Sequence, residues 1–183
     1  ILDLKRTISN KNNLQILFED NHLIAINKRC GDIVQGDKTG DSPLSDIVKS
    51  YIKTKYSKLG NVYLGTPHRL DRPTSGVVIF AKTSKSLVRL NKLFKSGKVQ
   101  KFYWAITKQK PGKLQDTLTH WLRKNEKNNK STHFKKETEK AKKAVLHYKI
   151  IKELDRYFLL QIELETGRHH QIRCQLSAIG CPV

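Results

Sequence analysis

The run Val77-Val78-Ile79-Phe80-Ala81 narrows the fold more than any other feature. It is too short for a buried helix and too apolar to alternate as a one-sided edge strand. A strand at the centre of a sheet is therefore expected, opened by Gly76. Around it, Leu14 to Phe18 and His22 to Asn27 read as two strands turned by Glu19, Asp20 and Asn21. A helix is expected from Ser42 as cap and Pro43 as first residue, with Leu44, Ile47, Val48, Tyr51 and Ile52 at helical spacing. A second begins at Thr83, presents Leu87, Leu90 and Phe94 on one face, and ends near Gly97. Lys101 to Thr107 reads as a strand, and Ala144 to Ile151 with Tyr157 to Leu164 as a hairpin around Asp155-Arg156. Strands and helices mix without regular alternation. The class is α+β: a mixed, mainly antiparallel sheet with flanking helices, read as one domain over residues 1–183.

Charge limits the partners. The chain carries 36 Lys and Arg against 16 Asp and Glu, a formal net charge of +20. That excess calls for a polyanion, because basic side chains on phosphates release condensed counterions. No apolar run approaches membrane-spanning length and no basic amphipathic helix stands alone, so nucleic acid is favoured over a membrane. The stretch 123–143 concentrates the charge, with nine basic and three acidic residues and almost no apolar ones. It reads as a mobile basic surface insertion, and equally as an arm that grips a polyanion. Cys30, Cys174 and Cys181 have no CxxC spacing, which argues against a zinc site or a disulfide framework and for reduced, packed thiols. Ile1 to Asn10 lacks the apolar core of a signal peptide, and a cytoplasmic setting is expected.

Two segments carry chemistry. In Pro67-His68-Arg69-Leu70-Asp71-Arg72-Pro73-Thr74-Ser75-Gly76, a carboxylate stands between two arginines in a loop stiffened by two prolines. Neighbouring guanidinium charge is expected to keep Asp71 ionised, as a nucleophile or general base requires. A salt-bridged surface turn is the plainer reading of that loop alone. The second segment, Glu165-Thr166-Gly167-Arg168-His169-His170-Gln171-Ile172-Arg173, follows the last strand and enters a short helix ending at Gly180. It gathers several donors around a glycine that lets the backbone turn.

Together these segments resemble the RluA-type family of RNA pseudouridine synthases. His68 through Gly76 matches the family's HRLDxxTSG motif, and Thr166 through Arg173 its TGRxHQIR motif. The stretch from Leu17-Phe18-Glu19-Asp20 through Asn27-Lys28 resembles its opening strands and the start of its NKPxG loop; Lys101 to Ala105 resembles KxYxA. Where the family usually has Pro after that Lys, this chain has Arg29 and Cys30 before Gly31.

The resemblance implies a single catalytic domain with a central RNA-binding cleft, isomerising uridines of ribosomal or transfer RNA. No cofactor, metal or obligate protein partner is implied, and a monomer is expected. Asp71 takes the nucleophile's role, Tyr103 that of the active-site Tyr against the base, and Arg173 that of the cation paired with the carboxylate. Arg69 would fill the space left by a flipped uridine. His68 would shape the loop or contact phosphate beside Arg72, while Arg168, His169 and His170 would hold phosphate at a helix start. Two rival readings remain at this stage: an RNA phosphodiesterase using Asp71 with His68 and His169, and a non-catalytic RNA-binding protein.

Overall fold

The computed structural model describes residues 8–37 and 39–183. The first seven residues of the Ile1–Asn10 stretch considered above lie outside the described ones. The chain divides into two compact units, with the boundary between Ser96 and Gly97.

The first unit holds β1 (Ile16–Glu19), β2 (Leu23–Lys28), α1 (Leu44–Lys55), β3 (Gly76–Ala81) and α2 (Ser84–Lys95). Its three strands form an antiparallel sheet in the order β1-β2-β3. Asp20 makes the first turn, its Oδ1 accepting from the backbone N–H groups of His22 and Leu23 at 2.7 and 2.6 Å. Period-two burial along β2 sends Ile24, Ile26 and Lys28 inward. Ile24 and Ile26 meet Val78 and Phe80 of β3 and Leu44, Val48 and Ile52 of α1 in one core. Each such large apolar side chain contributes about 1.5–3 kcal/mol when fully buried. Glu19 fastens the far end of this core. Burial alone would raise its pKa, but donors from Lys55, Lys82, Tyr56 and Tyr51 outweigh that and pull it down to about 2.

Two expectations change here. Ser42 does not cap α1; the helix starts at Leu44 behind Pro43, which lacks a side-chain cap bond. More significantly, β3 is an outer strand. Among the described residues its partners are β2 and a single bridge from Gly65 to Ala81. Its apolar run reflects packing rather than a strand on either side: Val78 and Phe80 fill the core and α2 lies against the strand. α2 starts directly behind Thr83, within a residue of the expectation, and the structure adds that Thr83 caps it in a reciprocal box with Ser86. Leu87, Leu90 and Phe94 are all half-buried on that helix.

The second unit holds β4 (Phe102–Thr107), β5 (Gln115–Asn125), β6 (Lys130–Phe134), β7 (Lys142–Glu153), β8 (Phe158–Leu164) and α3 (Gln171–Ala178). The five strands are antiparallel in the order β4-β8-β7-β5-β6, and β7 pairs with β8 as the expected hairpin. Leu118, Leu146, Leu160, Ile162 and Leu164 line one face, which Leu176 of α3 covers. The class is α+β.

The basic stretch 123–143 is strand and turn rather than featureless insertion. It contains the end of β5, all of β6 and the start of β7. Its asparagines are turn chemistry: Asn125 Oδ1 accepts from Lys127 N and Asn128 Oδ1 from Lys130 N, and Asn129 takes a left-handed φ of 52°. Backbone pairing holds such a hairpin without apolar side chains, and lysines suit an outer strand. Of the cysteines, Cys181 is packed as expected, whereas Cys30 is exposed.

Candidate active site

The loop leading into β3 is built against that strand's outer edge. Gly65 exchanges backbone hydrogen bonds with Ala81 at 2.8 and 2.9 Å. Two residues back along β3, the N–H of Ile79 donates to His68 Nε2 at 2.9 Å. The His68 ring also stacks on Phe94, with centroids 4.8 Å apart. Burial holds its pKa below the ordinary histidine value and so favours the neutral ring, and the Ile79 N–H selects the tautomer in which Nε2 accepts. His68 thus shapes the loop through Nε2. Leu70 packs on the core, and Gly76 turns the chain into the strand at φ 133°, a conformation that favours glycine.

Asp71 sits between these anchors, half-buried, with its carbonyl accepting from Thr74 N at 3.0 Å. The backbone beyond it is fixed from below by Lys28, a residue the motif comparison touched without giving it a role. Its side chain has no exposed surface, and Nζ donates to the carbonyls of Arg29, Arg72 and Thr74 at 3.0, 3.1 and 2.7 Å. Gly31 N donates to the same Arg72 carbonyl at 2.8 Å. The Lys28–Asp32 loop is itself tied by buried Asp32, which accepts from Ser9 N, Ser9 Oγ and Arg29 N at 3.0, 2.6 and 3.2 Å. A proline in place of Arg29 would have no N–H to give, so the departure from the family pattern adds a bond.

The Arg72 side chain goes to Asp41 Oδ2 at 2.6 Å and Thr39 Oγ1 at 2.7 Å, with Asp37 at 3.7 Å. It clips the segment before α1 to the loop. Arg69 is exposed.

In the second unit, Tyr103 on β4 is half-buried and packs on the apolar cluster that also receives Ile172 of α3. Its neighbours Phe102 and Trp104 point the other way and are 55% and 74% exposed. The turn between β8 and α3 is organised by two residues of its own motif. Thr166 Oγ1 accepts from Val145 N at 2.9 Å and donates to Gln171 Oε1 at 2.8 Å, which also receives Arg168 N at 2.9 Å. His170, the residue before the helix, has left-handed angles of φ 51° and ψ 32°. Its ring stacks on His169 at 3.6 Å. Arg168 is exposed with Nε on the Lys143 carbonyl at 2.8 Å, and Arg173 is exposed on the first turns of α3.

Sequence reasoning passed over Lys28, Thr166 and Gln171 as fixers of these turns, and Ser131, whose hydroxyl reaches His169 from β6. Lys28 carried one usable signal: it is a polar residue at an inward position of the otherwise apolar alternation of β2. Among the described residues no three His, Cys, Asp or Glu side chains are grouped to hold a metal ion.

Comparison with known proteins agrees with this construction. Residues 22–178 match the family model described as RNA pseudouridylate synthase. The chain is 34% identical over 170 residues to ribosomal large subunit pseudouridine synthase C of Rickettsia conorii, covering 92% of this chain and 54% of that protein. It is 30% identical over 181 residues to tRNA pseudouridine synthase C of Pectobacterium carotovorum, covering 93% and 46%. The chain thus spans about half the length of the curated relatives it matches. Among solved structures, Human RNA Pseudouridylate Synthase Domain Containing 4 superposes with a TM-score of 0.78 at 26% identity, over 92% of this chain and 66% of that one. The match takes in both motif-bearing turns and the strands that set them, so the chain belongs to the RNA pseudouridylate synthase family.

Proposed function

We propose that this chain carries the catalytic machinery of an RNA pseudouridine synthase of the RluA type, acting on uridines of ribosomal or transfer RNA. The observation that supports this most is the way Asp71 is presented. It is a half-buried carboxylate on a loop whose backbone is fixed on one side by Lys28 and on the other by His68. A surface salt bridge needs no such support; a nucleophile that must meet one atom does. The reaction breaks the N1–C1′ bond of uridine, rotates the base and joins C5 to C1′. The proton on C5 leaves and N1 acquires one, so no redox partner is consumed.

In this reading Asp71 is the nucleophile that holds the intermediate, and Arg173 is the cation that orients a carboxylate of this kind. Tyr103 offers a ring for stacking and an oxygen for the proton. The target uridine leaves its stack, and exposed Arg69 fills the vacated space. Arg168 and His170 hold phosphate, His169 joins them only when its ring is protonated, and the basic hairpin of β5 and β6 grips RNA beyond the target.

The test is tritium release from transcripts of large-subunit ribosomal RNA and tRNA made with 5-tritiated uridine. The protein is expected to release tritium, in the presence of EDTA as well, and Asp71→Asn to release none while binding RNA with near wild-type affinity. Turnover by the Asn variant would remove Asp71 from its role. Shortened RNA products that require added divalent metal would replace the whole reading by the phosphodiesterase one.

A further inference from the structure

The motif TGRxHQIR leaves one position unspecified, and here it is His169. That residue has a dedicated partner outside the motif. Ser131 Oγ lies 2.7 Å from the His169 carbonyl oxygen and 3.0 Å from His169 Nδ1. A hydroxyl has one proton to give and lone pairs to receive with. The carbonyl oxygen can only accept, so the Ser131 proton goes there. Toward the ring the same oxygen must then accept, and Nδ1 must carry a hydrogen. Two distances therefore select a tautomer: Nδ1–H, with Nε2 unprotonated whenever the ring is neutral.

The same contact holds the backbone. His170 is a non-glycine residue in the left-handed region, and such residues cost on the order of 1–3 kcal/mol that the surroundings must offset. The turn is fastened on both sides. Ser131 binds the His169 carbonyl, Cys174 Sγ donates back to the Ser131 carbonyl at 3.3 Å, and Arg168 Nε reaches the Lys143 carbonyl. Because the His169 and His170 rings stack at 3.6 Å, the orientation of one constrains the other. Ser131 itself lies opposite Lys124 within the basic hairpin.

We propose that Ser131 is a positioning residue of this site: it fixes the tautomer of His169 and, through the His169 carbonyl, the turn that sets His170 and the start of α3. The hairpin is then mechanically joined to the helix that carries Arg173. The effect on rate rests on the function proposed above; the tautomer does not.

The test uses the full chain and three variants. Long-range proton–nitrogen NMR at pH 8 is expected to show His169 as Nδ1–H in the wild type and in Ser131→Thr, and shifted toward Nε2–H in Ser131→Ala. On a transcript that the wild type modifies, Ser131→Ala is expected to slow single turnover at saturating RNA roughly tenfold to a hundredfold, with a smaller loss of affinity because the basic hairpin still grips the RNA. Ser131→Thr should restore the rate. Should Ser131→Ala fail to fold, His169→Phe keeps the stack and the carbonyl but has no ring nitrogen, and should show the same loss of rate. Wild-type His169 found as Nε2–H overturns the proposal, as does a rate loss without a tautomer change or the reverse. If the wild type modifies neither RNA, the functional reading falls while the NMR still decides the tautomer.

Discussion

Lys28 Nζ donates to the Thr74 carbonyl oxygen at 2.7 Å, from a side chain with no exposed surface, and so ties the end of β2 to the loop after Asp71. Lys28→Met keeps the length of the chain but strands the carbonyls it served. Leaving a buried acceptor unpaired costs about 1–3 kcal/mol, and part-exposed carbonyls recover some of that from water. A net loss of about 2 kcal/mol is expected, read as a lower urea midpoint, together with a slower chemical step. An unchanged midpoint would mean that the loop holds itself.

His68 gives the loop a pH dependence. Its Nε2 accepts from Ile79 only when unprotonated, and burial lowers its pKa from the ordinary 6.5. The unfolded chain therefore takes up the proton first as pH falls. The stability due to His68 is complete above 6.5 and declines as pH drops toward the lowered native value. His68→Phe keeps the stack on Phe94 and removes both acceptor and titration. At pH 7.5 it should be less stable than wild type by about 1–2 kcal/mol, and the gap should narrow by pH 5. A gap that is the same at both pH values would show that His68 is not the titrating group.

Tyr103→Phe should retain packing on the cluster shared with Ile172, and with it stability and RNA binding. The single-turnover rate should fall if the hydroxyl moves a proton, by roughly 100-fold or more. A rate equal to wild type would leave Tyr103 as a stacking surface only.

Grip and chemistry should separate under salt. Changing Lys127, Lys130, Lys135 and Lys136 of the β5–β6 hairpin region to Gln should weaken RNA binding and flatten its salt dependence. Each lost phosphate contact should lower the slope of log affinity against log salt by roughly 0.7 on single-stranded RNA. The saturated rate should hardly change. Arg173→Ala should do the opposite, slowing the chemical step with little loss of affinity. Measuring both quantities for both variants over a salt series decides the division; a rate effect from the lysines would contradict it.

The strands with apolar runs and the helix with a capping box were legible because their signals are local. Gly76 to Ala81, the β7–β8 hairpin and Thr83 before α2 each announce themselves within a few residues. What was not legible depends on distance. β3 looked central because its apolar residues gave no sign that a loop, rather than a strand, would line its outer edge. The β5–β6 hairpin looked like insertion because pairing Arg123 with Thr132 and Lys124 with Ser131 needs backbone, not hydrophobicity. Both motifs were readable from order alone. The partner of Arg72 was not, since Asp41 is brought to it from 31 residues away.

The loop against β3 has a second consequence, for solubility. An outer strand with open N–H and C=O groups is a template on which other chains can add strands. Here Gly65 takes both backbone groups of Ala81 and His68 takes the N–H of Ile79, so a newcomer finds that end of the edge occupied. The segment that presents Asp71 is thus also a guard against self-association of the most apolar strand in the chain. Lesions that loosen it should appear first as insoluble protein, before any assay of rate is possible. Selection against self-association would preserve the loop's shape whatever became of the activity proposed for it.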